Sequence, residues 1–265
     1  QAVNPRRVAA VLLRQVYLYR RSFPRLLEVF YWPPVDILLW GFVSLYLQRS
    51  QQGLAEFVAF FLGALILWDV LFRAQQGISV SFLEDLWARN LINIFASPLR
   101  AGEYMAGLLL ISIVKVVIAF LVMSALAGLF YSYSIFSLGA SLLPLVLNLV
   151  AMGWAIGVLT TALILRFGQE AEVLAWALAF LFMPFSAVFY PVETLPPALQ
   201  AVARFIPSAH AFEGMRAVLA TGAFPTERLL WASALNALYL GASLVLFARI
   251  FRYALKRGII PKIGE

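Results

Sequence analysis

An all-α membrane protein, with six transmembrane helices in one transmembrane domain over residues 1–265, is the fold class this sequence predicts. Three observations predict it. Hydrophobic residues make up 63% and charged residues 12% of the 265 positions, against roughly 45–50% and 25% in soluble domains. The apolar residues gather into runs of about 20, the length that crosses a hydrocarbon core. Lys and Arg concentrate on alternate connections, as the positive-inside rule requires of a multi-span chain. This division leaves no room for a large soluble domain. Cysteine is absent, which excludes disulfides, thiolate nucleophiles and Cys-based metal sites within the chain.

Residues 4–30 read as a helix lying in the membrane interface. Val8, Val11, Leu12, Val16 and Tyr19 recur at helical spacing, while Arg7, Arg14 and Arg21 fall on another face. That arrangement turns the arginines toward lipid phosphate or a partner; the alternative is a short solvated helix. Because arginines interrupt the apolar positions, no cleaved targeting segment is expected.

Six spans follow, at about 33–48, 57–74, 105–130, 138–165, 173–190 and 229–251. Pro33-Pro34 suits the start of the first, since a proline there loses no needed hydrogen bond. Asp36 then falls in the first turn and complements the helix dipole. Arg73, Arg89 and Arg100 lie between the second and third spans, Arg166 between the fourth and fifth, and Arg249, Arg252, Lys256, Arg257 and Lys262 after the sixth. With the N-terminal arginines, these all fall on one side, the cytoplasmic one, so both termini are expected on the cytoplasmic side of the membrane. The opposite connections carry only Arg49, and Arg204, Arg216 and Arg228 offset by Glu193, Glu213 and Glu227. Topology thus accounts for the net charge of +7, and no nucleic-acid partner is needed.

The external stretch 189–228 is broken by Pro191, Pro196, Pro197 and Pro207, with Leu195, Leu199, Val202, Phe205 and Ile206 between them. Non-helical backbone at membrane depth survives only where protein or water satisfies its polar groups. The stretch therefore reads as a pair of re-entrant or interfacial helices that cap the bundle like a lid. Its polar set is Glu193, His210, Glu213 and Arg216.

Reactive chemistry is sparse. His210 is the one histidine, and the chain has no H-E-x-x-H, no G-x-S-x-G, no close acidic pair inside a span and no P-loop. No catalytic residue, metal site or cofactor is assigned to this chain. A lone histidine in an interfacial loop is more often a packing or hydrogen-bonding residue than a base. Lys115 sits inside the third span, where a charge is costly and functional by default; its structural alternatives are snorkelling or pairing with Asp69 or Asp36. Lys115 and Asp69 are the candidates for a translocation path. Asp69 and Arg73, four apart near the inner end of the second span, favour a local pair. Gly153 and Gly157 form a G-x-x-x-G compatible with close packing of helices, a dimer contact included. Aromatic residues, 15% of the chain, cluster at span ends as interfacial belts, or line a channel on which sugar rings could stack.

The segment SFLEDLWARNLINIFASPLRAGEY, 81–104, mixes Glu84, Asp85, Arg89 and Arg100 with Leu86, Trp87, Leu91, Ile94 and Phe95, then stops at Pro98. It reads as a short amphipathic helix projecting between two spans, suited to a partner's groove or, alternatively, to the lipid surface. The order of these parts resembles the membrane subunit of an ATP-binding-cassette exporter of the type-2 permease family, which includes O-antigen, capsule and teichoic-acid exporters and related drug and sterol exporters. NIFASPLRAGEY, 93–104, and VFYPVETLPPALQAVARFIPSAHAFEGMR, 188–216, carry the resemblance most specifically. It implies two permease copies, often identical, working with two ATPases that bind the ATP and Mg. It also implies that Glu84 to Ala96 is a coupling helix, engaging the ATPase through Glu84, Asp85, Trp87, Arg89, Leu91 and Phe95. RFGQEAE, 166–172, would be a second contact, through Arg166 and Glu170. The expected function is ATP-driven export of an amphipathic or lipid-linked substrate such as a polysaccharide, glycolipid or drug. Two other classes compete: a membrane-embedded lipid enzyme relying on His210, Glu193 or Glu213, and an ATP-independent transporter, which would call for more buried acids and an internal repeat.

Overall fold

The computed structural model describes residues 4–50 and 55–257, with helices and connecting turns and no strand among the described residues. α1 (Pro5–Arg20) starts where the Asn4 side chain accepts the Arg6 N–H and Pro5 fills the first turn, two signals that satisfy or dispense with free donors. The interface helix expected to reach residue 30 stops at Arg20, and α2 (Phe23–Ser50) takes over. Pro24 explains the interruption, because it has no N–H with which to continue the ladder.

α2 corrects a second expectation. Pro33 and Pro34 lie inside this 28-residue helix, not at its start. Each forfeits one backbone bond, a loss membrane helices tolerate where neighbouring groups take up the freed carbonyl. Asp36 consequently sits about three and a half turns into the helix, beyond the reach of the N-terminal dipole that was expected to explain it.

α3 (Ala55–Trp87) is 33 residues long, about 50 Å, and continues well past the expected end at residue 74. Asp69 and Arg73 do pair, at 3.2 Å, but both are buried at mid-helix, so Arg73 is not a loop cation. The helix closes in a turn where the Ala88 N–H donates to the Glu84 carbonyl and the Asn90 N–H to that of Asp85, with Arg89 at φ 51°. A left-handed residue reverses the chain so that it satisfies the helix's last carbonyls. α4 (Leu91–Ala96) follows, so the single helix expected from Glu84 to Ala96 is two pieces joined at a corner.

α5 (Ala101–Tyr131) begins where Glu103 reaches back to the Arg100 N–H, at 3.0 Å. After a 3₁₀ turn over Ile135–Ser141 comes the 26-residue α6 (Leu142–Phe167). α7 (Leu174–Phe182) has only nine residues, about 14 Å, where a full span to residue 190 was expected. Pro184 halts it, and Ala187 turns the chain at φ 50°. α8 (Pro197–Ala203) and α9 (Pro207–Thr221) precede α10 (Thr226–Lys256). Among the described residues, four helices are long and apolar enough to cross a membrane, at 58–87, 101–131, 135–167 and 226–256, where six were expected. The Arg49 side chain and Lys262, both counted in the charge pattern, lie outside the described residues.

α3 is the central rod, packed between α5 and α6, and α6 packs in turn on α10. A methyl on Gly153 would stand 2.5 Å from the Leu71 carbonyl oxygen, and one on Gly157 2.8 Å from that of Gln75. The G-x-x-x-G therefore closes an intrachain contact and is not available to a second copy. The same pairs show that α3 and α6 run parallel. So do α6 and α10, joined by Asn236 on Asn148 at one end and Arg166 over the Tyr253 ring at the other. The chain must return between them, and it does so along α3: Gln75 donates to the Ala175 carbonyl at 2.9 Å, and the Phe189 ring stacks on Phe61 at 4.8 Å. α7 and the irregular residues after it thus cover, along about 21 Å of α3, the path expected of a fifth span. The end bearing α1 is called basal below, and the end bearing α8 and α9 distal.

Candidate functional site

At the basal end, the last turn of α3 carries two adjacent carboxylates that α1 and α2 capture. Asp85, 1% exposed, accepts both terminal nitrogens of Arg14, one of them at 3.0 Å, and the Tyr104 hydroxyl at 2.8 Å. The Arg14 guanidinium is held above its ordinary pKa by that Asp85 hydrogen bond, against the opposing pull of burial. Glu84 pairs with Arg25 at 2.9 Å. Glu103, one turn into α5, accepts the Asn4 N–H at 3.0 Å and Arg7 at 3.4 Å. Two of the α1 arginines expected to face lipid thus close onto the chain's own acids, because a buried carboxylate requires a partner.

This capture sorts the residues expected to engage an ATPase. Glu84, Asp85 and Leu91 are buried. Phe95 is half-buried, wedged between the rings of Tyr104 at 5.4 Å and Phe251 at 4.7 Å. Trp87, Arg89, Arg166 and Glu170 are exposed. The two segments expected to make separate contacts meet, since Trp87 Nε1 donates to Glu172 Oε2 at 3.0 Å. Arg166 stacks over Tyr253 at 4.7 Å. Ile92, 47% exposed on α4, was missed; only the corner at Arg89 brings it outward, and no periodicity in the sequence signals that corner. Between α1 and α4 lies a cavity of about 380 Å³, lined by groups that include Arg7, Arg14, Asn93 and Ile94.

At the distal end, polar residues serve the irregular backbone. Glu213 Oε1 accepts the Val192 N–H at 3.0 Å and Arg216 at 2.8 Å. Arg216 also donates to the Ala187 carbonyl at 2.6 Å and lies over the Phe60 ring at 5.2 Å. Desolvation pulls the Arg216 pKa below its ordinary value, opposed by the Glu213 charge. Ser186 and Ser208 bond at 2.7 Å, and His210 Nε2 bonds the Arg204 carbonyl at 2.8 Å. Glu193 is exposed. His210 is thus engaged with backbone and has no acidic partner among the described residues. Glu213 is occupied in holding a turn.

Lys115 pairs with neither Asp69 nor Asp36. Its Nζ bonds Ser81 Oγ at 3.1 Å and lies 4.5 Å from the Tyr19 ring centroid. Ser81 is about 18 Å along α3 from Asp69. Ser112, three residues before Lys115, packs on Gly77, so the lysine side chain runs toward the basal end, which is the snorkelling alternative. Lys115 thus goes with α1 and the basal end of α3, while Asp69 pairs with Arg73.

Residues 40–252 match a family model described as ABC-2 family transporter protein. The matched region starts within α2, ends within α10 and includes both the basal corner and the distal segment. No curated protein matches the chain.

Proposed function

This chain belongs to the ABC-2 family of transporters, and from that premise we propose that it is the membrane subunit of an ATP-driven exporter working as a dimer with a separate ATPase. Membership of the family implies the ATP-binding-cassette ATPase as a partner. Carrying the reading further is one observation: Trp87, Arg89 and Ile92 stand exposed at the basal corner, on the end of the rod around which the bundle packs. The acids beside them are consumed internally, so the exposed set is largely apolar and cationic, the chemistry of a protein groove. Arg166 and Glu170 extend this surface through the Trp87–Glu172 contact.

In the proposed cycle, closure of the ATPase dimer pushes the corner. α3 then shifts as a rigid body against α6, and a path between two copies opens on the opposite side. Asp69 is a candidate to line that path. Lys115 is assigned to fastening α1. The basic residues Arg6, Arg7, Arg249, Arg252 and Arg257 support an inner-membrane orientation with both termini cytoplasmic. The substrate class is amphipathic or lipid-linked, moved outward.

Affinity purification with the cognate ATPase tests the reading. Ile92→Asp and Trp87→Asp should lose the ATPase while the chain stays inserted and monodisperse. Undiminished ATPase recovery with both variants would remove the docking assignment, and transport by the purified chain alone in liposomes would remove the coupled mechanism.

A further inference from the structure

We propose that a cavity of about 320 Å³ between α2, α3 and α7 binds a lipophilic organic cation through Asp36 and a surrounding aromatic wall. The inference takes its purpose from the transport reading above and its chemistry from the cavity itself. Asp36 and Asp69 line the space together with Trp40, Phe61, Trp68 and Phe180. The rings adjoin one another: Trp40 lies 6.2 Å from Phe61 and Trp68 6.4 Å from Phe180, centroid to centroid. Such faces carry partial negative charge and attract a cation within about 6 Å.

Charge decides the sign of the ligand. Asp69 is committed to Arg73, which also reaches Gln76 at 3.4 Å. Asp36 accepts no hydrogen bond among the described residues, and the Arg73 charge reaches it only through space. Two carboxylates against one guanidinium leave a net negative charge at the cavity, and the surplus is that of Asp36. The helix N-terminus does not account for it, since α2 begins at Phe23. A carboxylate among aromatic rings at membrane depth is costly unless a positive group meets it. An ammonium or phosphonium with an apolar body would satisfy both features: its charge faces Asp36 and its substituents cover the rings. An anionic headgroup would be repelled.

The test uses the purified chain in detergent, without ATPase, and the permanent cation tetraphenylphosphonium measured by equilibrium dialysis against empty micelles. Wild-type protein should bind it saturably. Asp36→Asn should weaken binding about tenfold or more, and Trp40→Leu a few-fold, with elution profile and helix content unchanged. Tetraphenylborate, of the same shape and opposite charge, is dialysed separately because it precipitates the cation, and it should not bind saturably. Wild-type-like binding of the cation by both variants, or saturable binding of tetraphenylborate equal to that of the cation, would overturn the inference; if Asp36→Asn does not fold, Trp40→Leu and the borate measurement decide. Because no ATPase is present, a chain that recruits its ATPase yet fails to bind the cation refutes this inference alone. Ile92→Asp separates the two in the other direction, losing the ATPase while keeping the cation.

Discussion

The two ends of the bundle use the same residue types for different work. At the basal end, ion pairs join helices remote in sequence: Arg14 to Asp85, Arg25 to Glu84, Arg7 to Glu103. At the distal end, the closest pair, Arg216 with Glu213, is three residues apart on one helix; Arg228 of α10 stands farther off, 3.8 Å from Glu213, and the remaining bonds go to the backbone of residues 187–192. The first arrangement lashes rigid rods together and leaves them able to move as units. The second gives one irregular stretch its shape. A force applied at the basal corner would therefore travel through α3 and its lashed neighbours, whereas a change at the distal knot stays local.

The largest effect is expected from Asp85→Leu. It strands the Arg14 guanidinium and the Tyr104 hydroxyl, and removing one partner of a buried pair costs about 3–5 kcal/mol. Thermal unfolding in detergent should show it, and the double variant Arg14→Leu/Asp85→Leu should recover most of the loss, with a remainder from Tyr104. No recovery would mean that the pair is not what joins α1 to α3. Next comes Arg216→Ala, expected to cost about 2–3 kcal/mol by leaving charge-assisted bonds unmade. Its signature should be local: faster proteolysis around residues 187–196, with ATPase association unchanged. Loss of ATPase association in this variant would break the contrast between the ends. Gly153→Ala probes what connects them, since its methyl meets the Leu71 carbonyl, and overpacking of this kind costs about 1–3 kcal/mol. It should slow transport more than it weakens ATPase binding. The smallest stability effect belongs to Trp87→Leu, under about 1 kcal/mol, although ATPase recovery should fall markedly.

Much of this was legible along the chain. The spans at 105–130 and 229–251 could be read directly, because lipid demands a continuous helix once the backbone enters it. The Asp69–Arg73 pair was legible from its four-residue spacing. Helix ends were less so. Pro33-Pro34 looks like a start in isolation, yet α2 carries both internally. Residues 173–190 look like a span, yet α7 stops after nine residues because the bonds of Arg216 and Glu213 make a non-helical continuation affordable. That compensation comes from side chains more than twenty positions away, which no local pattern reveals.

The candidate coupling surface divides in the same manner. Residues 81–104 stand out by their mixture of charge and apolar groups, but Glu84 and Arg89 look equally available there. Only the packing assigns Asp85 to Arg14, Glu84 to Arg25 and Lys115 to Ser81 and Tyr19, leaving Trp87, Arg89 and Ile92 outside. Composition and charge distribution settled that this is an all-helical chain built for a membrane, because transfer of apolar surface and charge between water and lipid is a property of each segment by itself. The partners of its buried charges, and the place where its helices break, were decided by the tertiary structure, because an ion pair or a satisfied carbonyl depends on which distant segment arrives beside it.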